Sequence, residues 1–353
     1  MRRHLRVLLL LLILPILAGA ARRAKNVILF LADGGGLPTV NAASLHGYGK
    51  PQALFIQQMP YIGLSETSSA SNWVTDSAAG MTAIVTGQKT NNGVVSQSAA
   101  AVRGKQDGQP LKTILEYAEE RGLSTGVLSD CPISDATPAA CYAHSNERAT
   151  QGAIFLQLLK PRFGDGVDVV IGRGRERILK ETAALGVDIW PALAARRYQR
   201  ATDAGACRGA GPRLVALFGS EELKLAEWVD CALTVLSRNR KGFFLMVESD
   251  THLKDARQSL QAMIELDRIV RRTAERMKPS DTLILFTSDH SYDLHFPRSG
   301  TPGEDIVPLL KAEGRHNAEE TVVAAQGPGA EMVRGFFPNT RLFQIMLSAY
   351  GWK

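Results

Sequence analysis

A serine directly after an aspartate is the side chain in this sequence best suited to act as a nucleophile. Ser77 follows Asp76 in the stretch WVTDSAAGMTAIVTG, which extends from Trp73 to Gly87. The small residues after Ser77 tolerate a helix, so Ser77 is predicted at a helix N-terminus, where free N–H groups and the helix dipole favour an anion. The simpler interpretation is that Asp76 or Ser77 only caps the helix, as these residue types often do. The rest of the chain must decide between the two.

Acidic residues and histidines follow the predicted strands. They are Asp33, Glu248, Asp250, His252, Asp289 and His290, with His316 nearer the C-terminus. A single histidine is more often a surface or core residue than a ligand, but several that converge with carboxylates match the ligands that zinc prefers. Carboxylates at one sheet edge also repel one another unless bound cations compensate their charge. The pattern therefore predicts a metal centre.

The elements that must position these residues alternate along the chain between apolar runs and helical patterns. Strands are predicted at 25–32, 124–129, 167–171, 242–248, 282–287 and 321–325, and helices at 111–121, 151–159, 221–237, 255–277 and 340–349. This alternation predicts an α/β fold with a doubly wound, mostly parallel central sheet and helices on both faces. The carboxyl ends of its strands would form the edge that carries the acids. Residues 172–211 and 291–314 lack clear periodicity and are predicted to be loops over the sheet.

The chain begins with the pattern of a secretory signal. Residues 1–20 contain three early arginines, an apolar run and the small residues Ala18-Gly19-Ala20, which together predict a cleaved signal peptide. The run is short for a bilayer span and contains Pro15; an uncleaved N-terminal anchor is the alternative. We therefore expect residues 21–353 to form one catalytic domain in the periplasm or outside the cell, with no stable membrane span after cleavage.

Composition excludes some classes of protein. The 353 residues are 45% hydrophobic and 22% charged, which is typical of a globular protein. The formal charge of +6 includes the arginines of the signal. The sequence has no basic stripe with interleaved aromatic residues, so a nucleic-acid partner is not predicted. The four cysteines, Cys131, Cys141, Cys207 and Cys231, allow three pairings in an exported protein. The sequence does not choose among the pairings.

Several longer motifs make the sequence recognisable. They are the strand ending in DGGG at Asp33, VTDSAAGMTAIVTGQKT around Ser77, DATPAACYAHSNER from Asp135 to Arg148, MVESDTH from Met246 to His252, TSDH at Asp289 and His290, and the C-terminal segment from His316. From about Lys25 to the C-terminus the sequence resembles the alkaline phosphatases. The segment around Ser77 is the most specific of these motifs.

The resemblance implies two zinc ions and one magnesium ion. By that resemblance, Asp250, His252 and His316 are ligands of one zinc, and Asp33, Asp76, Asp289 and His290 are ligands of the other. Asp33, Asp135, Thr137 and Glu248 would form the magnesium site, with Asp33 bridging. Without the resemblance, Asp135 and Thr137 would be read as a simple helix start, with threonine as the cap and proline at the first position.

The resemblance also implies the reaction, which is the hydrolysis of phosphate monoesters with release of inorganic phosphate. Ser77, activated by zinc, would form a phosphoserine intermediate that a zinc-bound hydroxide then hydrolyses. Arg148 would bind two phosphate oxygens through its planar guanidinium. His144, Asp293 and His295 match no ligand position and are interpreted as supporting or surface residues.

Two departures from the family are visible. Glu248, Asp250 and His252 are compressed into an ExDxH pattern, in which alternate residues of a strand could still share a face. The connection from His290 to His316 is short, so reduced surface insertions are expected, and a homodimer is an open expectation. Competing functions are a phosphodiesterase or sulfatase of the same superfamily, or a phosphate- or metal-binding protein whose catalysis has decayed.

Overall fold

The computed structural model describes residues 23–296 and 300–353, so the predicted signal peptide lies outside the described residues. The strands are β1 (Asn26–Asp33), β2 (Tyr61–Glu66), β3 (Ser124–Pro132), β4 (Val169–Arg173), β5 (Gln199–Arg200), β6 (Leu214–Phe218), β7 (Phe243–Asp250), β8 (Thr282–Thr287), β9 (Ser291–His295), β10 (Lys311–Asn317), β11 (Thr321–Gln326) and β12 (Gly335–Pro338). The α-helices are α1 (Leu37–Tyr48), α2 (Ser77–Thr86), α3 (Ile114–Glu120), α4 (Ala136–Tyr142), α5 (Gln151–Leu156), α6 (Arg175–Ala184), α7 (Ile189–Ala195), α8 (Leu225–Leu236), α9 (Ala256–Arg276) and α10 (Arg341–Tyr350).

Ten strands form one sheet in the order β12-β2-β11-β8-β1-β7-β3-β4-β6-β5. All neighbours in it are parallel except β11, which runs antiparallel to both β2 and β8. Apolar residues of both sheet faces pack under helices, with α2, α3, α4, α5 and α10 on one face and α1, α8 and α9 on the other. The predicted doubly wound α/β fold is therefore confirmed.

The central strands form because their sequences are almost continuously apolar. Every residue of β1 after Asn26 is buried, and so is every residue of β8. Strands buried on both faces are typical of parallel sheets covered by helices. β1, β7 and β8 are adjacent, and Asp33 at the end of β1 lies beside Asp250 at the end of β7.

The prediction of loops at 172–211 and 291–314 was wrong. The first stretch contains α6, α7 and the short β5, and the second contains β9 and most of β10. In α6 only Ile178 and Thr182 are buried, so its sequence shows little helical periodicity. β10 is mostly exposed and pairs only with β9, so it has no apolar alternation.

Two further structural features concern the cysteines and the membrane. Cys207 and Cys231 form a disulfide between the segment before β6 and α8, whereas Cys131 and Cys141 are unpaired thiols. Within 23–296 and 300–353, no helix combines the length and the apolar character needed to cross a membrane.

Candidate active site

Ser77 is the first residue of α2, and this helix begins next to Asp289 and His290, which follow β8. Asp76 caps this helix, with its Oδ1 accepting a hydrogen bond from the Ala79 N–H at 3.1 Å. All ten residues of the helix are buried. The Ser77 hydroxyl lies 3.2 Å from Nε2 of His290, which follows β8. The capping role therefore belongs to Asp76, and the Ser77 hydroxyl faces His290 instead.

A glycine allows α2 to approach the end of β8 closely. A Cβ atom on Gly80 would lie 2.5 Å from the backbone oxygen of Asp289. Real Cβ atoms essentially never come so close to a backbone atom. Gly80 thus sets the separation between Ser77 and the residues after β8.

The tautomers of two histidines can be inferred from their second ring nitrogens. Nδ1 of His290 lies 3.2 Å from the carbonyl oxygen of Ser291, and Nδ1 of His316 lies 3.1 Å from that of Thr75. A carbonyl only accepts, so each Nδ1 carries a proton. Nε2 of His316 is then left with a free lone pair, whereas Nε2 of His290 lies 3.2 Å from Oδ1 of Asp33, which is also an acceptor. A backbone carbonyl on the second nitrogen is the usual arrangement of a metal-binding histidine. The two rings stack at 3.6 Å between centroids.

Asp33, Asp289 and His290 form a buried cluster in which one ligand atom from each residue lies within 4.8 Å of the others. Among the described residues, Oδ1 of Asp33 and Oδ2 of Asp289 are buried and form no hydrogen bond, although Nε2 of His290 lies 3.2 and 3.5 Å from them. Unpartnered buried carboxylate oxygens are costly unless a cation satisfies them. Two carboxylates and an imidazole suit zinc, so these residues fit the metal that the resemblance implies.

The pKa values of the cluster reflect the crowding of charge. Burial and the charge of Asp33 raise the pKa of Asp289 to about 6. Burial alone would also raise the pKa of Asp33, but contacts with His290 and the charges of the other histidines hold it well below its usual range. Burial and the charge of Asp33 raise the pKa of Glu248 well above its usual range. Neighbouring carboxylates of this kind are expected where a cation normally supplies the missing charge.

His252 joins the site through a turn rather than through strand alternation. β7 ends at Asp250, and the N–H of His252 donates to Oδ1 of that residue at 3.1 Å. Nδ1 of His252 lies 2.8 Å from Asp250 Oδ1 and 3.6 Å from Asp33 Oδ1. Burial lowers the pKa of His252, but these carboxylates outweigh it and raise the pKa to about 9. The compressed ExDxH pattern therefore brings the acid and the histidine together, although not in the predicted manner.

The backbone of Gly34 leaves room for His252. Its φ is +67°, and a Cβ on it would lie 2.6 Å from the Cβ of His252. Glycine adopts this left-handed conformation without steric cost. The glycine after Asp33 therefore allows the ends of β1 and β7 to meet.

Arg148 lies between two carboxylates. Its Nη1 donates to Asp76 Oδ2 and its Nη2 to Asp135 Oδ1, each at 3.1 Å. Asp76 Oδ2 also accepts from the N–H of Gly93 at 2.9 Å, so both Asp76 oxygens have protein donors. Asp135 likewise accepts from the N–H of Ala136 at 2.8 Å. In the described residues neither acid belongs to a cluster of metal-ligand atoms.

Some supporting residues were not found from the sequence. Cys131 lies at the end of β3, within 4.8 Å of ligand atoms of Asp33 and Glu248. Next to it, Asp130 accepts from the Ser249 hydroxyl at 2.6 Å and from the Asp250 N–H at 2.8 Å. Cys131 and Asp130 both follow a predicted strand, so the expectation that ligands lie just after strands, which identified Asp33, applies to them as well.

Asp293 and His144 were interpreted as supporting or surface residues, and their contacts differ. Asp293 accepts from the backbone N–H groups of three residues in β10, Glu313, Gly314 and Arg315, at 3.1 to 3.2 Å. It therefore shapes the bulged strand that carries His316. His144 contacts the Ser96 carbonyl at 2.7 Å and Glu116 at 2.9 Å, and neither is a predicted ligand.

Comparisons with known proteins agree with this geometry. The family model described as alkaline phosphatase matches residues 24–185 and 216–313. The tissue-nonspecific alkaline phosphatase of the cat, Felis catus, is 28% identical over 390 residues, which are 92% of this chain and 74% of that protein. The corresponding human enzyme is 29% identical over 93% of this chain and 75% of its own length.

Solved structures show the same fold. A mutant of the alkaline phosphatase from the Antarctic bacterium TAB5, with Mg bound in its M3 site, has a TM-score of 0.78 at 24% identity, covering 95% of this chain and all of that one. Because the family model matches well over half of the sequence, the chain belongs to the alkaline phosphatase family.

Proposed function

We propose that this protein is a metal-dependent phosphomonoesterase in which Ser77 is the nucleophile. The observation that carries this proposal is the position of the Ser77 hydroxyl at the start of α2, 3.2 Å from His290 Nε2 and beside the buried Asp33–Asp289–His290 cluster. A capping serine has no need of a metal-ligand cluster next to its hydroxyl. The family membership and the names of the relatives support the same reaction.

Ser77 and Arg148 have different roles in the proposed reaction. Ser77 Oγ attacks phosphorus and forms a phosphoserine, and the ester oxygen leaves. Water then hydrolyses the phosphoserine and releases inorganic phosphate. Arg148, held in place by Asp76 and Asp135, presents its guanidinium for two phosphate oxygens. Bound zinc ions would lower the pKa of the serine hydroxyl and stabilise the charge on the leaving oxygen.

The ligand sets remain proposals. Asp33, Asp289 and His290 are proposed for one zinc, and Asp250, His252 and His316 for the other, since the rings of His252 and His316 lie 5.8 Å apart. Asp76 is a ligand by resemblance, but its observed contacts favour a role in orienting Arg148. By resemblance, Asp33, Asp135, Thr137 and Glu248 would hold magnesium.

The test is the hydrolysis of an aryl phosphate monoester by the purified chain without its signal, loaded with zinc and magnesium. We expect turnover that a chelator abolishes and that Ser77→Ala reduces by roughly a thousandfold or more. The matched control is Thr86→Ala, which removes a hydroxyl at the other end of α2, where it bonds the Thr82 carbonyl. That variant should keep its activity.

Two comparisons separate the competing functions. The aryl phosphate diester and the aryl sulfate should turn over more slowly than the monoester, and phosphate should be trapped on Ser77 in acid-quenched enzyme. Faster turnover of the diester or the sulfate would replace the proposal with that activity. Tight phosphate binding without a trapped phosphoserine would indicate a binding protein.

The proposed location is the periplasm or the cell exterior. It is supported by the predicted signal at 1–20 and by the Cys207–Cys231 disulfide, since disulfides persist in oxidising compartments. A homodimer remains a proposal. Fractionation of cells and the mass of the purified protein in solution test these two points.

A further inference from the structure

In the described residues, a second group of possible metal-ligand atoms includes a sulfur atom. β3, β7 and β1 are adjacent strands, with Ser129 beside Glu248 and Asp33 beside Asp250. Cys131, two residues beyond Ser129, therefore reaches the same edge. One ligand atom from each of Cys131, Asp33 and Glu248 lies within 4.8 Å of the others.

This set does not fit the magnesium site expected from the resemblance. That site should contain only oxygen ligands, from Asp33, Asp135, Thr137 and Glu248. In the structure, Asp135 is not part of the cluster, and its Oδ1 is held by Arg148 and by the N–H of Ala136. Magnesium is a hard cation that prefers oxygen, whereas a thiolate selects softer metals such as zinc and cobalt.

The burial of the cluster supports a cation site independently of the cysteine. Glu248 is 1% exposed and Asp33 is 8% exposed. Glu248 Oε2 accepts a hydrogen bond from the Ser129 hydroxyl, which orients the carboxylate. Asp33 Oδ1 is buried and forms no hydrogen bond within the described residues, although His290 Nε2 lies 3.2 Å from it. Two buried acids with an unpartnered oxygen require positive charge, and the half-buried Cys131 thiol, which forms no disulfide, remains free to bind it.

We propose that Cys131, Asp33 and Glu248 form a mixed thiolate and carboxylate site that binds Zn²⁺ or Co²⁺ in preference to Mg²⁺. On binding, the Cys131 thiol releases its proton to solvent and its sulfur forms a bond to the metal, with no change in oxidation state. Asp33 is shared with the cluster that contains His290, so the proposal rests on the proposed metal centre. It adds a ligand and a metal preference that the oxygen-only set would not have.

The first test uses Co²⁺ as a spectroscopic probe of sulfur ligation. The metal-free chain without its signal is titrated with Co²⁺, and absorption is followed in the near ultraviolet, where sulfur-to-cobalt charge transfer appears, and in the visible. We expect the charge-transfer band in the wild type, its loss in Cys131→Ser, and its retention in Cys141→Ser. Cys141 is the matched control because it is the other unpaired thiol and lies buried in α4. A cobalt-loaded wild type without this band would overturn the proposal.

The second test measures metal preference without using turnover. The zinc-loaded wild type and Cys131→Ser are dialysed against excess Mg²⁺, and the bound metals are counted by mass spectrometry. We expect the wild type to retain one more zinc per chain, and the variant to exchange that zinc for magnesium. Equal exchange in both proteins would overturn the metal preference.

An alkylation assay and a comparison with phosphatase activity keep the outcomes distinct. If Cys131→Ser does not fold, as judged by circular dichroism, alkylation of Cys131 is followed instead, and Zn²⁺ but not Mg²⁺ should protect the wild-type thiol at least tenfold. Equal protection by the two ions would count against the site. Sulfur ligation in a protein without phosphatase activity would leave this inference intact and overturn only the proposed function. Phosphatase activity without sulfur ligation would overturn this inference and leave the proposed function intact.

Discussion

The candidate active site has two sides that differ in exposure. The buried wall consists of Ser77, Asp33, Asp289 and His290, and the open rim consists of Asp135, Arg148, Asp250 and His252. The side chains of Asp289 and His290 are 0% exposed, whereas those of Asp250 and Asp135 are 28% and 35% exposed. Arg148 and His252 are exposed to an intermediate degree.

This difference in exposure determines how charged groups are stabilised on each side. On the rim, carboxylates pair with Arg148 or with backbone donors, and water screens what remains. On the wall, the side chains are almost fully buried, and in the part of the chain that the structure describes two carboxylate oxygens form no hydrogen bond. The wall should therefore depend on bound metal for its stability, and the rim should affect substrate binding with little effect on folding. Four experiments test this difference between the wall and the rim.

The largest effect is expected from Asp289→Asn, which removes a charge from the wall without changing its shape. Activity should fall by roughly a thousandfold or more, because a neutral amide is a poor zinc ligand. The rise in melting temperature that zinc gives the wild type should also shrink, since ligand binding to the folded state is what stabilises it. Activity assays and thermal unfolding with zinc or a chelator provide both measurements.

The matched control for Asp289→Asn is Asp250→Asn on the rim. It should retain more of the stabilisation by zinc, because its side chain is partly solvated. The metal-free Asp289→Asn protein should be no less stable than the metal-free wild type, since an unpaired buried charge has been removed. An unchanged zinc response in Asp289→Asn would contradict the contrast between wall and rim.

The second experiment changes the packing of the wall instead of its charge. Replacing glycine by alanine inside a helix normally stabilises it by about 1 kcal/mol. Gly80→Ala should instead lower the free energy of unfolding by roughly 1–3 kcal/mol, because the new methyl group would meet the Asp289 backbone. The displacement of Ser77 should lower activity on the order of a hundredfold.

Gly47→Ala, near the end of α1, is the control for Gly80→Ala. Its added methyl group would meet only the flexible side chain of Ile264. Denaturant unfolding and turnover of the two variants should therefore diverge. Normal stability and activity in Gly80→Ala would show that the wall is not tightly packed against α2.

The same contrast explains how much the sequence could predict. The wall follows buried apolar strands, so the rule that ligands lie at strand ends identified Asp33, Asp289 and His290. The same rule identified Asp250 and His252 on the rim and also Glu248, but which of these residues meet depends on which strands are neighbours. Cys131 meets Glu248 only because β3 lies beside β7, and no local pattern shows this. The elements α6 and β10 were missed because they bury few apolar residues.

Arg148→Ala is expected to have a smaller effect than either change to the wall. It removes two donors that would bind phosphate, and charged hydrogen bonds contribute about 2 kcal/mol, so kcat/KM should fall by about 30-fold. The melting temperature should change little because the carboxylates of Asp76 and Asp135 remain partly solvated.

Two variants test the specificity of the Arg148 effect. Arg148→Lys should recover only part of the loss, since an ammonium cannot bind two oxygens in one plane. Arg103→Ala removes an exposed arginine that pairs with Glu147, and it should leave kcat/KM unchanged. A large loss of stability in Arg148→Ala would show that Arg148 contributes to folding in the way expected of the wall residues.

The last experiment asks what burial does to a carboxylate without any metal cluster. Glu119 at the end of α3 is buried, accepts from the Thr125 hydroxyl and from the Gly166 N–H at 3.0 Å, and has its pKa raised by burial to about 7. Because its pKa is raised, the folded state keeps a proton that the unfolded state loses above its ordinary value of 4.5. The free energy of unfolding should therefore decrease by about 2 kcal/mol between about pH 5 and pH 7 through this group.

Glu119→Gln isolates that contribution, since glutamine cannot ionise. The wild type minus variant difference in unfolding free energy should slope downward over this range, while phosphatase activity stays the same. The neighbouring Asp168, whose pKa burial raises to about 6, is present in both proteins and cancels in the difference. Glu120→Gln, an exposed neighbour on the same helix, should show no such slope. If Glu119→Gln responded to zinc as Asp289→Asn does, burial rather than metal binding would explain the behaviour of the wall.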